Sequence, residues 1–262
     1  MNSTVNLLDE ALGLNDIDQT EPSSNTRGRV VLIEDCVETS GSFLLHHLIK
    51  RSLSPQSSGV VIFVAFAQPF SHYDRILRKM GCNLLTQRDN KRFLFLDMLM
   101  LECPDGDGET ASKGGILLLY RKIQKAVEDG YSTKGRNITV IIDDISLMEV
   151  AAHGSSNHVL NFLHYCHTLT SQYGCSLVTL NHRDIYSRTD RPSLILQMEY
   201  LADTLIKAEP LATGLATDVH GQLTVMNKGI CDGSRISRNK MRNFHFRVKE
   251  NSVEYFYPGT RT

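Results

Sequence analysis

The sequence lacks a basic excess, a paired-cysteine motif and a long apolar run, and each absence excludes a class of protein. Lys and Arg number 28 against 29 Asp and Glu, which argues against a stand-alone nucleic-acid-binding protein with its usual basic excess. The six cysteines include no Cys-x-x-Cys pair, so they fit neither a zinc knuckle nor a secreted disulfide framework. No signal peptide begins the chain, and the longest apolar run, VVIFVAFA (60–67), is too short to span a bilayer. These absences predict a soluble, intracellular protein without membrane contact.

Two segments depart from the overall charge balance. Residues 1–26 hold five acidic and no basic residues, whereas residues 235–249 hold six basic and no acidic residues. The simpler interpretation of the basic segment is a solvated surface, and the alternative is local contact with RNA. The candidate RNA-contacting residues of this segment are Arg235, Arg238, Lys240 and Arg242.

Apolar segments alternate with helical segments over most of the chain. Strands are predicted at residues 29–34, 60–67, 92–99, 137–144 and 175–182, and helices at 43–53, 71–81, 116–130 and 155–174. Nearly all-apolar strands that alternate with helices are typical of a parallel sheet covered on both faces. The later segments 203–209, 219–226 and 244–257 predict antiparallel hairpins that finish the sheet.

The N-terminal residues are predicted to stand apart from this α/β domain. NLLDEALGL (6–14) has the apolar spacing of a short amphipathic helix, and a polar linker follows at 15–26. We therefore divide the chain into an N-terminal segment and linker, residues 1–27, and one large domain, residues 28–262. The helix has an apolar side that fits its own domain and a neighbouring molecule equally well, so both placements stay open.

The first strand leads into a loop and a helix, as at the phosphate-binding loop of a nucleoside triphosphatase. That loop has the pattern G-x-x-x-x-G-K-[ST], in which the lysine contacts phosphates and the hydroxyl holds Mg²⁺. Here CVETSGSF (36–43) keeps only Gly41, because Cys36, Ser42 and Phe43 replace the first glycine, the lysine and the hydroxyl. Because the loop lacks these residues, we predict that the protein does not hydrolyse ATP in the ordinary way and holds no nucleotide cofactor.

Acidic residues stand where a phosphate and its magnesium ion would approach. Glu38 would repel a bound phosphate, and such a contact costs about 1–4 kcal/mol, whereas millimolar binding is worth only about 4 kcal/mol. The fourth predicted strand ends in VIIDD (140–144), as a Walker B segment does, and its first aspartate, Asp143, would support Mg²⁺. Acidic residues are also common at strand ends that bind no metal, so the motif alone does not decide between the two interpretations.

Five segments together resemble the Elongator complex protein 6 family. They are DCVETSGSFLLHHLI (35–49), FVAFAQPFSHY (63–73), VIIDDIS (140–146), FLHYCHT (162–168) and LATGLATDVHGQLTV (211–225). The resemblance covers roughly residues 28–258 and includes no catalytic motif. It implies a RecA-like fold that has lost its ATP-binding motifs, in a non-catalytic subunit without a cofactor.

The resemblance also implies an assembly and a role for it. The fourth, fifth and sixth Elongator subunits would alternate in a heterohexameric ring that binds tRNA. The ring would assist the larger catalytic Elongator subcomplex in modifying the wobble uridine of the anticodon. The implied compartment is the cytoplasm, with the nucleus as an addition.

The implied RecA-like fold allows a check on the missing chemistry. Enzymes of this fold carry a water-activating glutamate at the end of the second strand, where this chain has AFAQPF (65–70) without a carboxylate. Asp143 and Asp144 are therefore expected to lack catalytic partners. We predict that they cap a helix or serve the structure instead of binding a metal.

In RecA-like rings the loops after the fourth and fifth core strands point into the central hole, here residues 146–156 and 183–191. Arginine contacts phosphate through two hydrogen bonds, and an interleaved tyrosine stacks on an unpaired base. The alternative is a solvated loop, because two aspartates dilute the charge of the second segment. Its candidate RNA-contacting residues are Arg183, Tyr186, Arg188 and Arg191.

Two other functions compete with a non-catalytic ring subunit. One is a weak NTPase that uses Asp143 for Mg²⁺ and a basic group from a neighbouring subunit. The other is a RecA-like recombination accessory protein that binds DNA. A metal site is not predicted, because the adjacent His46 and His47 point to different sides of a helix, and His164 and His167 lack further ligands.

Overall fold

A central β-sheet with helices on both faces makes up the molecule in our computed structural model. The model describes residues 6–14, 28–99, 108–132, 137–186, 194–214, 216–228, 231–232, 235–236 and 240–259. None of the helices in these ranges combines the length and the apolar character that a bilayer crossing requires.

The strands of the described residues form a nine-stranded sheet and a separate two-stranded ribbon. In chain order they are β1 (Val30–Asp35), β2 (Val60–Ala65), β3 (Phe93–Asp97), β4 (Ile138–Asp143), β5 (Ser176–His182), β6 (Thr204–Glu209), β7 (Gly221–Asn227), β8 (Cys231–Asp232), β9 (Arg235–Ile236), β10 (Lys240–Val248) and β11 (Val253–Phe256). The order across the large sheet is β11-β10-β7-β6-β1-β5-β4-β2-β3, and β8 pairs with β9. The six strands from β6 to β3 in this order are parallel, whereas β7, β10 and β11 are antiparallel additions at one edge. The predicted fold class is confirmed.

The helices cover both faces of the sheet. They are α1 (Leu7–Ala11), α2 (Ser42–Ser52), α3 (Phe70–Lys79), α4 (Leu84–Asp89), α5 (Gly108–Ser132), α6 (Ile145–Ala151), α7 (Ser156–Tyr173) and α8 (Leu194–Leu201), with a 3-10 helix at Arg183–Tyr186. Alternate residues of each parallel strand enter two separate cores, as the two-residue period of a strand requires. In β1, Val31 and Ile33 pack with α1 to α4, whereas Val30 and Leu32 pack with α5 to α8.

The N-terminal helix packs on its own domain. Leu8 is fully buried, and Ala11 and Leu12 are nearly so, in the core that α2 also lines. Asp9 anchors the helix from the other side, because its two carboxylate oxygens contact His47 at 2.8 Å and Arg51 at 2.7 Å. The placement that the sequence left open is therefore the one within the same chain, and the predicted linker at 15–26 lies outside the described residues.

Three predicted boundaries are wrong. Residues 146–156 are not simply a loop, because Asp144 accepts a hydrogen bond from the Leu147 amide at 2.7 Å and so caps α6. The helix predicted at 116–130 begins earlier, since α5 starts at Gly108 despite the low helix propensity of its glycines. The last hairpin begins at Lys240, because the strand extends by pairing with β7. In these cases capping or strand pairing sets the boundary of the element, and local composition does not show it.

Candidate functional site

The carboxyl ends of three adjacent parallel strands bring acidic and basic side chains together. Strand β5 lies between β1 and β4 in the sheet. Asp35 ends β1 and is in register with His182, which ends β5. Asp143 ends β4, and Asp144 follows it. This edge is where open α/β sheets bind their ligands.

His182 forms a bridge between two buried carboxylates. Its Nδ1 donates to Asp35 Oδ1 at 2.5 Å, and its Nε2 donates to Asp144 Oδ2 at 2.8 Å. The side chains of Asp35 and Asp144 are 0% and 1% exposed, whereas that of His182 is 32% exposed. The hydrogen bonds to Asp144 and Asp35 raise the pKa of His182 from 6.5 to about 10, so the ring is an imidazolium at neutral pH.

Both carboxylate oxygens of Asp144 accept hydrogen bonds from groups of this chain. Burial alone would raise its pKa, but hydrogen bonds from His182, Ser146 and the Leu147 amide lower it overall. Ser146 Oγ donates to the same oxygen, Oδ1, that caps α6. The predicted structural and helix-capping role of this residue is thus observed, and it is coupled to the imidazolium.

Asp143 faces the core beside α3. Tyr73 Oη donates to Asp143 Oδ2 at 2.5 Å, and both residues are buried. Burial raises the pKa of Asp143 to about 6, and burial together with the nearby Asp143 charge raises the pKa of the Tyr73 phenol as well. β5 and α3 supply both aspartates with structural partners, since His182 contacts Asp144 and Tyr73 contacts Asp143. Within the described residues, no group of three or more His, Cys, Asp or Glu side chains is arranged to hold a metal ion.

Backbone amides of the loop between β1 and α2 donate hydrogen bonds to other groups of the protein. The Gly41 amide donates to Asp35 Oδ2 at 2.7 Å, and the Val37 amide donates to Asp184 Oδ2 at 3.0 Å. The Thr39 amide donates to the Cys36 carbonyl at 3.0 Å, which closes a tight turn. A phosphate-binding loop would point such amides at its ligand. In this chain the Gly41 amide points instead at a buried carboxylate of the protein.

The side chains at the predicted nucleotide-loop positions also point to structural roles. Phe43 is buried, and its ring centroid lies 4.6 Å from that of Phe246 on β10. Ser42 Oγ lies 2.9 Å from Ser40 Oγ. A Cβ atom at Gly41 would approach Ile33, Asp35 and Leu180 at 3.1 to 3.3 Å, so the close packing favours glycine at this position.

The predicted nucleotide-loop residues and Asp143 lie on different elements at the same edge of the sheet. Cys36, Gly41, Ser42 and Phe43 surround the start of α2, and Asp143 ends a strand that β5 separates from β1. Two residues that no motif indicated, His182 and Tyr73, contact the aspartates at this edge. The available signal for His182 was its position as the only ionisable residue of the predicted strand CSLVTLNH, apart from the cysteine that begins it.

The predicted RNA-contacting residues are spread over two distant parts of the sheet. Arg183 lies in the 3-10 helix after β5, where its Nη1 contacts Glu209 Oε1 at 3.2 Å, and Tyr186 ends that helix. Arg242 lies on β10 and pairs with Glu10 at 2.6 Å. Arg235 belongs to β9, and Lys240 begins β10. Three strands separate β10 from β5. The others, Arg188, Arg191 and Arg238, lie outside the described residues.

The structure of the chain is similar to that of a KaiC-like protein from the archaeon Pyrococcus horikoshii. The two share 12% sequence identity with a TM-score of 0.61, over 88% of this chain and 90% of the other. At this identity the similarity concerns the fold alone, which is RecA-like, with a mostly parallel sheet and antiparallel strands at its end.

Sequence comparisons give the family. A family model described as Elongation complex protein 6 matches residues 12–250. Elongator complex protein 6 of Xenopus laevis is 29% identical over 89% of this chain and 92% of its own length. The proteins of the same name from Mus musculus and Homo sapiens are 28% and 26% identical, each over 94% of this chain and 96% of their length. The chain belongs to the Elongation complex protein 6 family.

Proposed function

We propose that this chain is a non-catalytic subunit of the Elongator complex. It assembles with the fourth and fifth subunits into a heterohexameric ring, and this ring binds tRNA and supports wobble-uridine modification by the larger catalytic subcomplex. The observation that carries the proposal is the ion-paired His182 at the sheet edge, in a chain of the Elongation complex protein 6 family. The place of a nucleotide is taken by contacts within the protein.

Electrostatics supports the non-catalytic part of the proposal. Among the described residues, His182 is the cation at the site, and two buried carboxylates already share it. A triphosphate would compete with Asp35 for the Gly41 amide, and the negative charge of the Asp35 carboxylate would repel it. Removing Asp35 from its partners exposes an uncompensated buried charge, which costs several kcal/mol. That cost is comparable to the whole free energy of a millimolar complex, about 4 kcal/mol.

The same contacts disfavour a weak NTPase. Such an enzyme needs the Asp143 carboxylate to support Mg²⁺, but Asp143 is buried and accepts the Tyr73 hydroxyl. Its pKa, raised by burial to about 6, further weakens its affinity for a hard cation in mildly acidic solution.

Exposed apolar side chains support the ring. A heterologous ring needs two different contact surfaces on each subunit, and apolar side chains that stand in water are available to form them. Tyr200 on α8 is 88% exposed, and Val150 on α6 is 71% exposed.

Assembly is tested by co-expressing the chain with the fourth and fifth Elongator subunits and measuring the mass of the purified complex. We expect equal stoichiometry and two copies of each subunit. The assembled ring should prefer folded tRNA over single-stranded DNA of equal length. Equal affinity for the two nucleic acids would favour the DNA-binding accessory protein, and failure of the three chains to co-purify would overturn the proposal.

Nucleotide binding is tested by adding the missing lysine. The Ser42→Lys variant is expected to bind Mg-ATP no better than about 1 mM, like the unmodified chain, because Asp35 and His182 still occupy the site. Isothermal titration calorimetry of both proteins, alone and in the ring, measures this. A dissociation constant below about 0.1 mM for the unmodified chain would contradict the non-catalytic assignment.

A further inference from the structure

The segment from α3 to the start of β3 is strongly basic, although the whole chain is nearly neutral. Residues 70–92 contain six basic and two acidic residues, in a chain with a formal charge of −1. None of the six belongs to the basic segment at 235–249 or to the loops discussed above. The basic residues are Arg75, Arg78, Lys79, Arg88, Lys91 and Arg92.

All but one of these cations project from a single face of the molecule. Tyr73 and Leu77 of α3 and Leu84 of α4 are buried in the core shared with α2. The opposite sides of these helices are therefore turned to water. Arg92 is the exception, because it is half-buried and donates to backbone carbonyls that include those of Gly59 and Ser57. We define the basic ridge as Lys50 at the end of α2 together with Arg75, Arg78, Lys79, Arg88 and Lys91, all of which are exposed.

The ridge is only partly neutralised by its own acidic residues. Arg78 pairs with Asp74 at 2.5 Å, and Lys79 pairs with Glu250 at 2.7 Å. Lys50, Arg75 and Lys91 make no ion pair or side-chain hydrogen bond with any other described residue. Arg75, Arg78 and Lys79 line a shallow groove on α3 together with Asp74. Free cations along a groove attract a polyanion and gain from the release of its counterions.

The composition of this surface distinguishes a nucleic acid from a protein partner. Protein interfaces rely on buried aromatic and aliphatic anchors. Among residues 70–92, all of which are described, no large apolar side chain is exposed. The one aromatic group near the surface, Phe70, lies beneath the Arg88 guanidinium at 5.6 Å. Contacts to a phosphate backbone instead need arginine and lysine without apolar anchors.

We propose that the basic ridge binds the phosphate backbone of RNA. The proposal rests on the tRNA binding proposed above and adds a surface to it, on the face of the sheet that α2, α3 and α4 cover. The ridge contacts phosphates without reading bases, so it strengthens the binding of any structured RNA that the assembly holds.

The test removes the three unpaired cations and leaves the ion pairs intact. The ridge variant is Lys50→Gln, Arg75→Gln and Lys91→Gln. The control variant removes the same kinds of side chain from exposed positions of α5, which packs on the opposite face. Its substitutions are Arg121→Gln, Lys122→Gln and Lys125→Gln. Both variants are expected to keep the circular dichroism spectrum of the unmodified chain, because all six side chains are exposed.

The measurement is tRNA binding by the full chain and by the assembled ring over a range of salt concentrations. The ridge variant is expected to bind at least tenfold more weakly. Its plot of log affinity against log salt should be shallower by about 2 to 3, because each phosphate contact contributes about 0.7 to 0.9 to the slope. The control variant is expected to change affinity less than threefold.

The outcomes separate this proposal from the one it rests on. Equal tRNA affinity of the ridge and control variants would overturn the ridge and leave tRNA binding by the assembly intact. Absence of tRNA binding by the unmodified ring would overturn both. A ridge variant that loses binding of an acidic polypeptide, poly-glutamate, but keeps binding of tRNA would show a protein-binding surface and so also overturn the proposal.

Discussion

Replacing His182 with alanine is expected to lower the free energy of unfolding at pH 7 by about 3 to 5 kcal/mol. The substitution removes the cation between Asp35 and Asp144 and leaves both carboxylates buried. Breaking a buried ion pair by removing one partner has a cost of this size, because the remaining charge keeps its desolvation penalty. Urea unfolding followed by circular dichroism measures the change.

A matched control and a double-mutant cycle identify the cause of this loss. His164→Ala changes an exposed histidine of α7 and should alter stability by less than about 0.5 kcal/mol. Combining His182→Gln with Asp144→Asn should give a coupling energy above about 1.5 kcal/mol, since the two groups interact directly. A coupling energy near zero would show that the loss comes from packing and not from the ion pair.

Under the proposed function, the ion pair explains how a phosphate loop can lose its ligand without losing the fold. Backbone amides at the start of α2 still need an acceptor, because a buried unpaired donor is costly. Asp35 supplies that acceptor to Gly41, and His182 balances the charge that Asp35 brings. Under the proposed function, the three groups take the role, within one chain, of the anion and counter-cation that a nucleotide and its lysine would provide.

The alternation of strands and helices was predictable because it depends on local periodicity. The strands β1, β2, β4 and β5 lie within a residue or two of their predicted positions, since each is a mostly apolar run that both cores bury. The end of α7 at Gly174 was also predictable, because the left-handed backbone of the cap, with φ of 66°, favours glycine.

The partners at the site were not predictable, because they depend on the order of strands in the sheet. Asp35 and His182 are separated by 147 positions in the sequence and meet only because β5 lies beside β1. Tyr73 reaches Asp143 across 70 positions. No spacing rule connects such residues. The loss of the lysine and the hydroxyl from the loop, in contrast, is visible in the sequence, because Ser42 and Phe43 stand in their places.

Stability should also fall with rising pH in the alkaline range, and His182 should cause most of the fall. Its pKa is raised by the hydrogen bonds to Asp144 and Asp35, from 6.5 to about 10. Because the folded state binds this proton more tightly than the unfolded state, the stabilisation is fully present below pH 6.5 and is lost as pH rises through about 10. One pH unit corresponds to at most about 1.4 kcal/mol. Since the side chain is 32% exposed and partly screened by water, we expect a loss on the order of 3 kcal/mol.

Comparison with the His182→Gln variant isolates this contribution from the other titrating groups. Burial raises the pKa of Glu34 to about 7, so this carboxyl also titrates near the window, but it does so in both proteins and cancels in their difference. The stability difference between the two proteins should therefore shrink by about 3 kcal/mol between pH 6.5 and pH 10. Urea unfolding at half-unit intervals of pH measures it. A difference that stays constant over this range would mean that the His182 ring carries no extra proton in the folded state, and the ion pair could not then occupy the place of a nucleotide and its counter-cation.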